Sequence, residues 1–280
     1  MVCAEKTAVP GAGKVITVLS VREKPQVIVH IPHSSVIIPD SIRKEFLVSA
    51  EELRKELLCM TDWYTEELFA CPGCRAVVHN VSRLVCDPER FLDPDGESMW
   101  QSGMGMYYTR TSEGRRMKNS PLASKAGWRS YARALEIYQK HHKRLRSAVR
   151  QQVERHGKAL LIDGHSFSGA ALPYEPEQNL FRERPEICLG SDAYFTPGAL
   201  LAAAEDYFTR KGLHVAVNTP FAGAIVPEPF YSGRDKRVRS LMIEVNRSLY
   251  MNEKTGEKNG SFGEVQNILR EFLQQAGNIF

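Results

Sequence analysis

No run of this 280-residue chain approaches the roughly 20 consecutive apolar residues that span a bilayer, so no membrane-spanning helix is expected. The opening Met1 to Lys14 lacks the apolar core of a secretion signal, and the expected location is cytoplasmic. Six cysteines scattered over this length do not make a disulfide framework. Cys71-Pro72-Gly73-Cys74 has zinc-knuckle spacing, but no second pair stands at a suitable distance, so it reads as reduced thiols beside a turn. Charge of one sign is also scarce. The net charge is only +4, and the basic residues are not gathered into a tail. The cluster Arg144, Arg146 and Arg150 reads as the solvated face of a helix. Nucleic-acid and membrane partners are therefore not expected. Internal repeats and domain linkers are missing too. The expectation is an irregular segment over 1–22 and a single domain over 23–280. Nothing in the pattern sets an oligomeric state.

What is present is a series of β-branched runs that end in reactive residues. Val27-Ile28-Val29-His30-Ile31 empties into Pro32-His33-Ser34-Ser35. Similar runs are Leu160-Leu161-Ile162-Asp163-Gly164-His165, Val215-Ala216-Val217-Asn218, and Leu241-Met242-Ile243-Glu244-Val245-Asn246-Arg247. Strands are expected at about 26–31, 75–81, 159–163, 214–217 and 241–245. Helical spacing fills about 49–69, opened by a Ser49–Glu52 capping box and broken near Thr61. Further helices are expected over 121–155, 197–211 and 261–275. Residues 84–120 and 167–185 read as long connections, which are usually functional. Strands alternating with helices predict an α/β fold, a three-layer α/β/α arrangement around a mostly parallel mixed sheet. In such sheets ligands bind at the carboxyl ends of the strands.

Histidines and acids at several strand ends point to a metal-dependent hydrolase. A catalytic zinc typically takes three protein ligands and one water. His33 and His165 are the first candidates. His30 and His33 would face opposite ways on a continuing strand, so only one is expected at the site, and His33 lies past the strand end. Asp163 and His165 are two apart and share a strand face, which suits Asp163 to orienting His165; direct ligation and capping of the next turn stay open. Asp62 is either a third ligand or the N-cap of a second helical segment. Glu244, inside an apolar strand, is either a general base with a raised pKa or an ion-pair partner of Arg247. Arg83 and Arg90 follow a strand, and arginine matches carboxylates with two parallel hydrogen bonds. Asp87 could hold one of these guanidiniums. Asn218, Gly223 and Gly103–Gly105 could offer donors to a carbonyl.

Taken together, these segments resemble the N-formylglutamate amidohydrolase family. The pieces are His30-Ile31-Pro32-His33-Ser34-Ser35, Asp62-Trp63-Tyr64, Ser82-Arg83-Leu84-Val85-Cys86-Asp87-Pro88-Glu89-Arg90, Ile162-Asp163-Gly164-His165-Ser166, Asn218-Thr219-Pro220-Phe221-Ala222-Gly223 and Met242-Ile243-Glu244-Val245-Asn246-Arg247. They run in the family's order from about residue 26 to 252. The resemblance implies the architecture of zinc-dependent exopeptidases. It implies Zn2+ on His33, Asp62 and His165, with Glu244 as base and Asp163 behind the ligands. Arg83, Arg90, Asn218 and Arg247 would bind a small acidic N-acyl amino acid. The implied reaction releases formate from N-formyl-L-glutamate in histidine breakdown. Some members read Asp-Leu-Asn-Arg in place of Asp87-Pro88-Glu89-Arg90, and have glycine in place of Ala224. These differences leave the metal chemistry intact and bear on the substrate. Two rivals remain: a zinc amidase or carboxypeptidase for another N-acyl amino acid or peptide, and a metal-free binding module on the same scaffold.

Overall fold

The computed structural model describes residues 26–175 and 183–279. The irregular segment expected over 1–22 lies outside the described residues. Six strands form one sheet: β1 (Ile28–Ile31), β2 (Arg75–Val78), β3 (Ala159–Phe167), β4 (Ile187–Gly190), β5 (Val215–Val217) and β6 (Val238–Asn246), in the order β2-β1-β3-β6-β4-β5. Every neighbouring pair is parallel except β4 with β6. The helices are α1 (Asp40–Arg43), α2 (Ala50–Met60), α3 (Thr65–Leu68), α4 (Lys125–His156), α5 (Gly198–Arg210) and α6 (Phe262–Ile279). A short ribbon joins β7 (Met251–Asn252) to β8 (Glu257–Lys258).

The period of two along each strand builds the layers. Val29, Ile31, Leu160, Ile162, Leu241 and Ile243 pack with α5 and α6 residues such as Leu200, Phe208, Leu269 and Phe272. The alternate residues Ile28, Ala159, Leu161 and Val238 pack against Leu145, Val149 and Val153 of α4. Helices thus cover both faces, as the alternating pattern predicts. Leu161 and Ile162 are fully buried. Truncating either to Ala is worth about 2–5 kcal/mol.

Local chemistry sets the boundaries. Ser49 and Glu52 make the expected reciprocal capping box on α2. Tyr64, at φ 63°, interrupts the helical stretch before α3. Ser124 Oγ accepts from the Gly127 amide, so α4 starts there rather than at Pro121, and Gly157 at φ 74° ends it. β3 runs four residues past the expected Asp163, and β2 stops at Val78 rather than Val81. β4 was not expected. It is a four-residue strand between Pro185 and Gly190, too short to show a period. The Cys71–Cys74 segment is a turn, closed by the Cys74 amide on the Cys71 carbonyl, and both thiols are free. The connection after β2 folds into its own apolar cluster with α2, including Leu53, Met60, Leu84, Met104, Tyr108 and Met117. Lys118 Nζ donates to the Leu84 carbonyl at 2.6 Å. That cluster fixes the segment from Ser82 to Arg90 over the strand ends. Among the described residues no helix is long and apolar enough to cross a membrane.

Candidate metal centre

The carboxyl ends of β1, β3 and β6 lie side by side, and each delivers an ionisable group. In the registers, His30 stands opposite Asp163 and His165 opposite Glu244. His33 follows two residues after β1, where the chain has left the strand. Its ring lies 5.2 Å from that of His165, centroid to centroid. Asp62 comes from the break between α2 and α3. The carboxylate lies between the two rings. Asp62 Oδ2 is 3.0 Å from His165 Nδ1 and 3.6 Å from His33 Nδ1. It also accepts from the Ser166 amide at 3.2 Å. Its side chain caps no helix: Tyr64 is the N-cap residue of α3, and no side chain caps that helix.

The far nitrogens of both rings meet carboxylates. His33 Nε2 donates to Asp87 Oδ1 at 2.8 Å. His165 Nε2 lies 3.2 Å from Asp163 Oδ1 and 3.0 Å from Glu89 Oε2. Asp163 and His165 thus share one face, as their spacing predicts. His33 Nδ1 is buried with no hydrogen-bond partner in the protein. Donor atoms of His33, Glu89 and His165 also lie within 4.8 Å of one another. Burial pushes the Asp62 carboxyl up, but the His165 and His33 hydrogen bonds outweigh it and hold the group ionised well below the usual carboxylate range. Burial opposes charge on His165, yet Glu89 and Asp163 raise its pKa well above 6.5. A buried cluster of two imidazoles and several carboxylates this close is already arranged for a cation.

Glu244 sits beside this cluster. Its Oε2 has no hydrogen-bond partner, and burial pushes its pKa up to about 7, with the neighbouring carboxylates adding to the shift. It does not pair with Arg247, whose Nη1 donates to the Cys59 and Thr61 carbonyls at the end of α2, 2.8 and 3.0 Å away. A family model for N-formylglutamate amidohydrolases matches residues 25–251, a span that holds all of these groups.

The chain belongs to the N-formylglutamate amidohydrolase family. It is similar to an N-formylglutamate deformylase of Pseudomonas putida, 26% identical over 234 residues, 81% of this chain and 82% of that one. Its fold is similar to a crystal structure of N-formylglutamate amidohydrolase from Ralstonia eutropha JMP134, with a TM-score of 0.76 and 23% identity over 92% of this chain and 95% of that one. A gene product of Agrobacterium tumefaciens shares the fold more loosely, with a TM-score of 0.56 and 19% identity over 91% of each chain.

In this family member the remaining candidates sit in different places. Arg83 gives Nε and Nη2 to Asp87 Oδ2, 3.2 and 2.8 Å away, and is fully engaged there. Tyr108 donates to the same oxygen at 2.8 Å. Arg90 approaches Asp87 only to 3.7 Å, and its Nε is buried without a partner. Asn218 is exposed and exchanges hydrogen bonds with Ser191. Gly103 closes a local turn through the Trp100 carbonyl.

Several groups were not singled out by the sequence. Glu89 reads as a surface acid after a proline. The structure places it against His165 and, at 3.6 Å, His30. His30 was set aside as facing away, but Nδ1 donates to Asp163 at 2.8 Å, behind the centre. Its Nε2 meets His141 of α4 at 2.7 Å. One clue was available: Asp87, Glu89 and Arg90 crowd one short segment, and so many charges rarely crowd together without a partner.

Proposed function

We propose that this chain is a zinc-dependent deformylase that hydrolyses the formyl amide of N-formyl-L-glutamate to formate and L-glutamate, a step of histidine breakdown. The observation that carries this reading is the buried Asp62 Oδ2, which stands near both His33 Nδ1 and His165 Nδ1. Donors bonded tetrahedrally to zinc at about 2.0–2.1 Å stand roughly 3.3 Å apart. The 3.6 and 3.0 Å separations from Asp62 Oδ2 bracket that value, which supports these residues as its ligands. His33, Asp62 and His165 would hold it, and Asp87 and Asp163 would fix the two rings from behind. Zinc there supplies a Lewis acid and brings the pKa of water down to about 7.

The chain's own groups do the rest. Glu244, unpaired and titrating near neutrality, takes the proton of the attacking water as oxygen reaches the formyl carbon. It then passes that proton to the departing amine nitrogen. C–O forms as C–N breaks, the water's O–H bond is exchanged for an amine N–H bond through Glu244, and no oxidant or further reactant is needed. The buried walls around β3 and β6 limit competing solvent and keep Glu244 basic enough for the task. Arg90, with a free donor, receives a substrate carboxylate. Arg83 holds Asp87, and Arg247 ties the end of α2, and so Asp62, to the sheet.

Zinc analysis and a substrate panel test the reading. The purified protein should hold about one zinc per chain and release formate faster from N-formyl-L-glutamate than from N-formyl-L-leucine. Activity should vanish with a chelator and return with zinc. Equal rates on both substrates, or cleavage of acetylated or peptide substrates alone, would favour another N-acyl amidase. A chain that retains no metal and releases no formate would be a binding module.

A further inference from the structure

Arg184 is an arginine near the strand ends that the deformylase reading leaves without a task. Its side chain is 6% exposed. Nη1 pairs with Glu175 at 2.8 Å, but Nε and Nη2 are buried with no partner among the described residues. Leaving two guanidinium donors buried and unpaired is costly, so a site of this kind calls for an anion. Its guanidinium carbon lies 4.9 Å from the centre of the Phe167 ring and 5.8 Å from that of Phe221. The aromatic faces hold it in place without using its donors.

Its position relative to the catalytic pair follows from the register. Phe167 stands opposite Asn246, two residues along β3 from the His165–Glu244 pair. Residues two apart project from one face, so Phe167 lies on the His165 side of the sheet, its Cα roughly 6.6 Å further along the strand, with the guanidinium against its ring. Across the antiparallel pair, Cys188 stands opposite Glu244, and its thiol donates to the Phe221 carbonyl at 3.2 Å. Phe221 is thus tied to the strand that pairs with Glu244, and Arg184 lies against its ring. In an extended N-acyl glutamate, the side-chain carboxyl carbon lies roughly 6 Å from the acyl carbon at standard bond lengths, so its receiving group must stand apart from the groups that meet the acyl carbon.

We infer that Arg184 receives the side-chain carboxylate of the substrate and sets the preference for an acidic N-acyl amino acid. Nε and Nη2 form one edge of the guanidinium, the edge that takes a carboxylate through two parallel hydrogen bonds. Glu175 stays on Nη1 and orients the fork. Arg90 is then left for the α-carboxylate. The inference rests on the deformylase reading for the identity of the substrate, but carboxylate binding can be followed separately.

The test uses the zinc-loaded full chain and two readouts. The first is formate release from N-formyl-L-glutamate and from the neutral N-formyl-L-glutamine. The second is calorimetric binding of glutarate. Arg184→Met should raise KM for the glutamate substrate about ten- to hundredfold, leave kcat and the glutamine substrate nearly unchanged, and weaken glutarate to the same degree. Arg184→Lys should recover part of the loss, because a lysine keeps the charge but not the planar edge. Because Arg184→Met leaves Glu175 buried and unpaired, the double variant Glu175→Gln with Arg184→Met removes the pair together and should show the same loss of preference. An unchanged glutamate-to-glutamine preference in the folded double variant would overturn the inference while leaving the deformylase reading intact. Absence of formate release by the wild type, with glutarate binding still dependent on Arg184, would overturn the reading and keep the inference. Glutarate binding that ignores Arg184 would overturn the inference in either case.

Discussion

His165 on β3 and Glu244 on β6 are register partners across a parallel strand pair. One residue carries an imidazole aimed at Asp62, the other a carboxylate with an unpartnered oxygen and a pKa pushed up to about 7. Adjacent backbones fix their separation, so the spacing of imidazole and carboxylate depends on a sheet register rather than on a loop. This rigidity suits a reaction in which small displacements are expensive.

The two carboxylates behind the rings should act through the metal. Asp87→Asn and Asp163→Asn are each expected to weaken zinc binding about 10–100-fold without removing a ligand. Competition with a chromophoric chelator measures this. Unchanged affinity in both variants would mean that the rings are held by other groups.

Asp62 and Glu89 flank the imidazoles from opposite sides, and only one need be a ligand. His33 Nε2 is occupied by Asp87, which leaves Nδ1, the nitrogen that faces Asp62. Asp62→Ala should therefore lose stoichiometric zinc, whereas Glu89→Gln should keep it. The reverse result from metal analysis would move the third ligand to Glu89.

Arg83 and Arg90 should separate cleanly. Breaking the buried Arg83–Asp87 pair is expected to cost about 3–5 kcal/mol of stability, because an uncompensated carboxylate stays behind. Arg90→Ala should raise KM about ten- to hundredfold at little cost in stability. Urea unfolding and initial rates distinguish the two, and a selective KM effect from Arg83→Ala would contradict the assignment.

The buried histidines should make the fold sensitive to acid. Burial lowers His79 and His142 to about 4, well under the ordinary 6.5. As pH falls below 6.5 the unfolded chain takes up these protons and the folded chain does not, so stability is lost toward pH 4. Each such histidine steepens the loss by about 1.4 kcal/mol per pH unit. His142→Gln, which removes one, should flatten the unfolding midpoint against pH by about that amount. An unaltered slope would place the proton uptake elsewhere.

The layers and the strand ends were legible because period and composition carry them. Asp163 and His165, two apart, could be assigned to one face from spacing alone. His33 stood out because a β-branched run ends in front of it. What escaped depends on partners far away in sequence. β4 is four residues long and finds its place only against β6 and β5. Glu89 looks like any solvent-facing acid until α2 and the apolar cluster around Leu84 press its segment over β3. His30 points away from the catalytic face only if the strand continues, and β1 stops one residue later. Arg83 and Arg247 looked alike as substrate arginines, yet each is engaged inside the protein by a group that sequence could not place beside it.

In the proposed mechanism Glu244 moves the proton while His33, Asp62 and His165 hold the metal. Zinc content and single-turnover formate release, measured together on Glu244→Gln, test it most directly. Glutamine keeps the shape but cannot accept the proton, and general acid–base contributions are typically 10²–10⁴-fold. The variant is predicted to bind one zinc as tightly as wild type, stay folded, and release formate at least about a hundredfold more slowly at every pH, without the acid limb that wild type shows at or below about pH 7. A zinc-loaded variant that turns over at close to the wild-type rate would contradict the account.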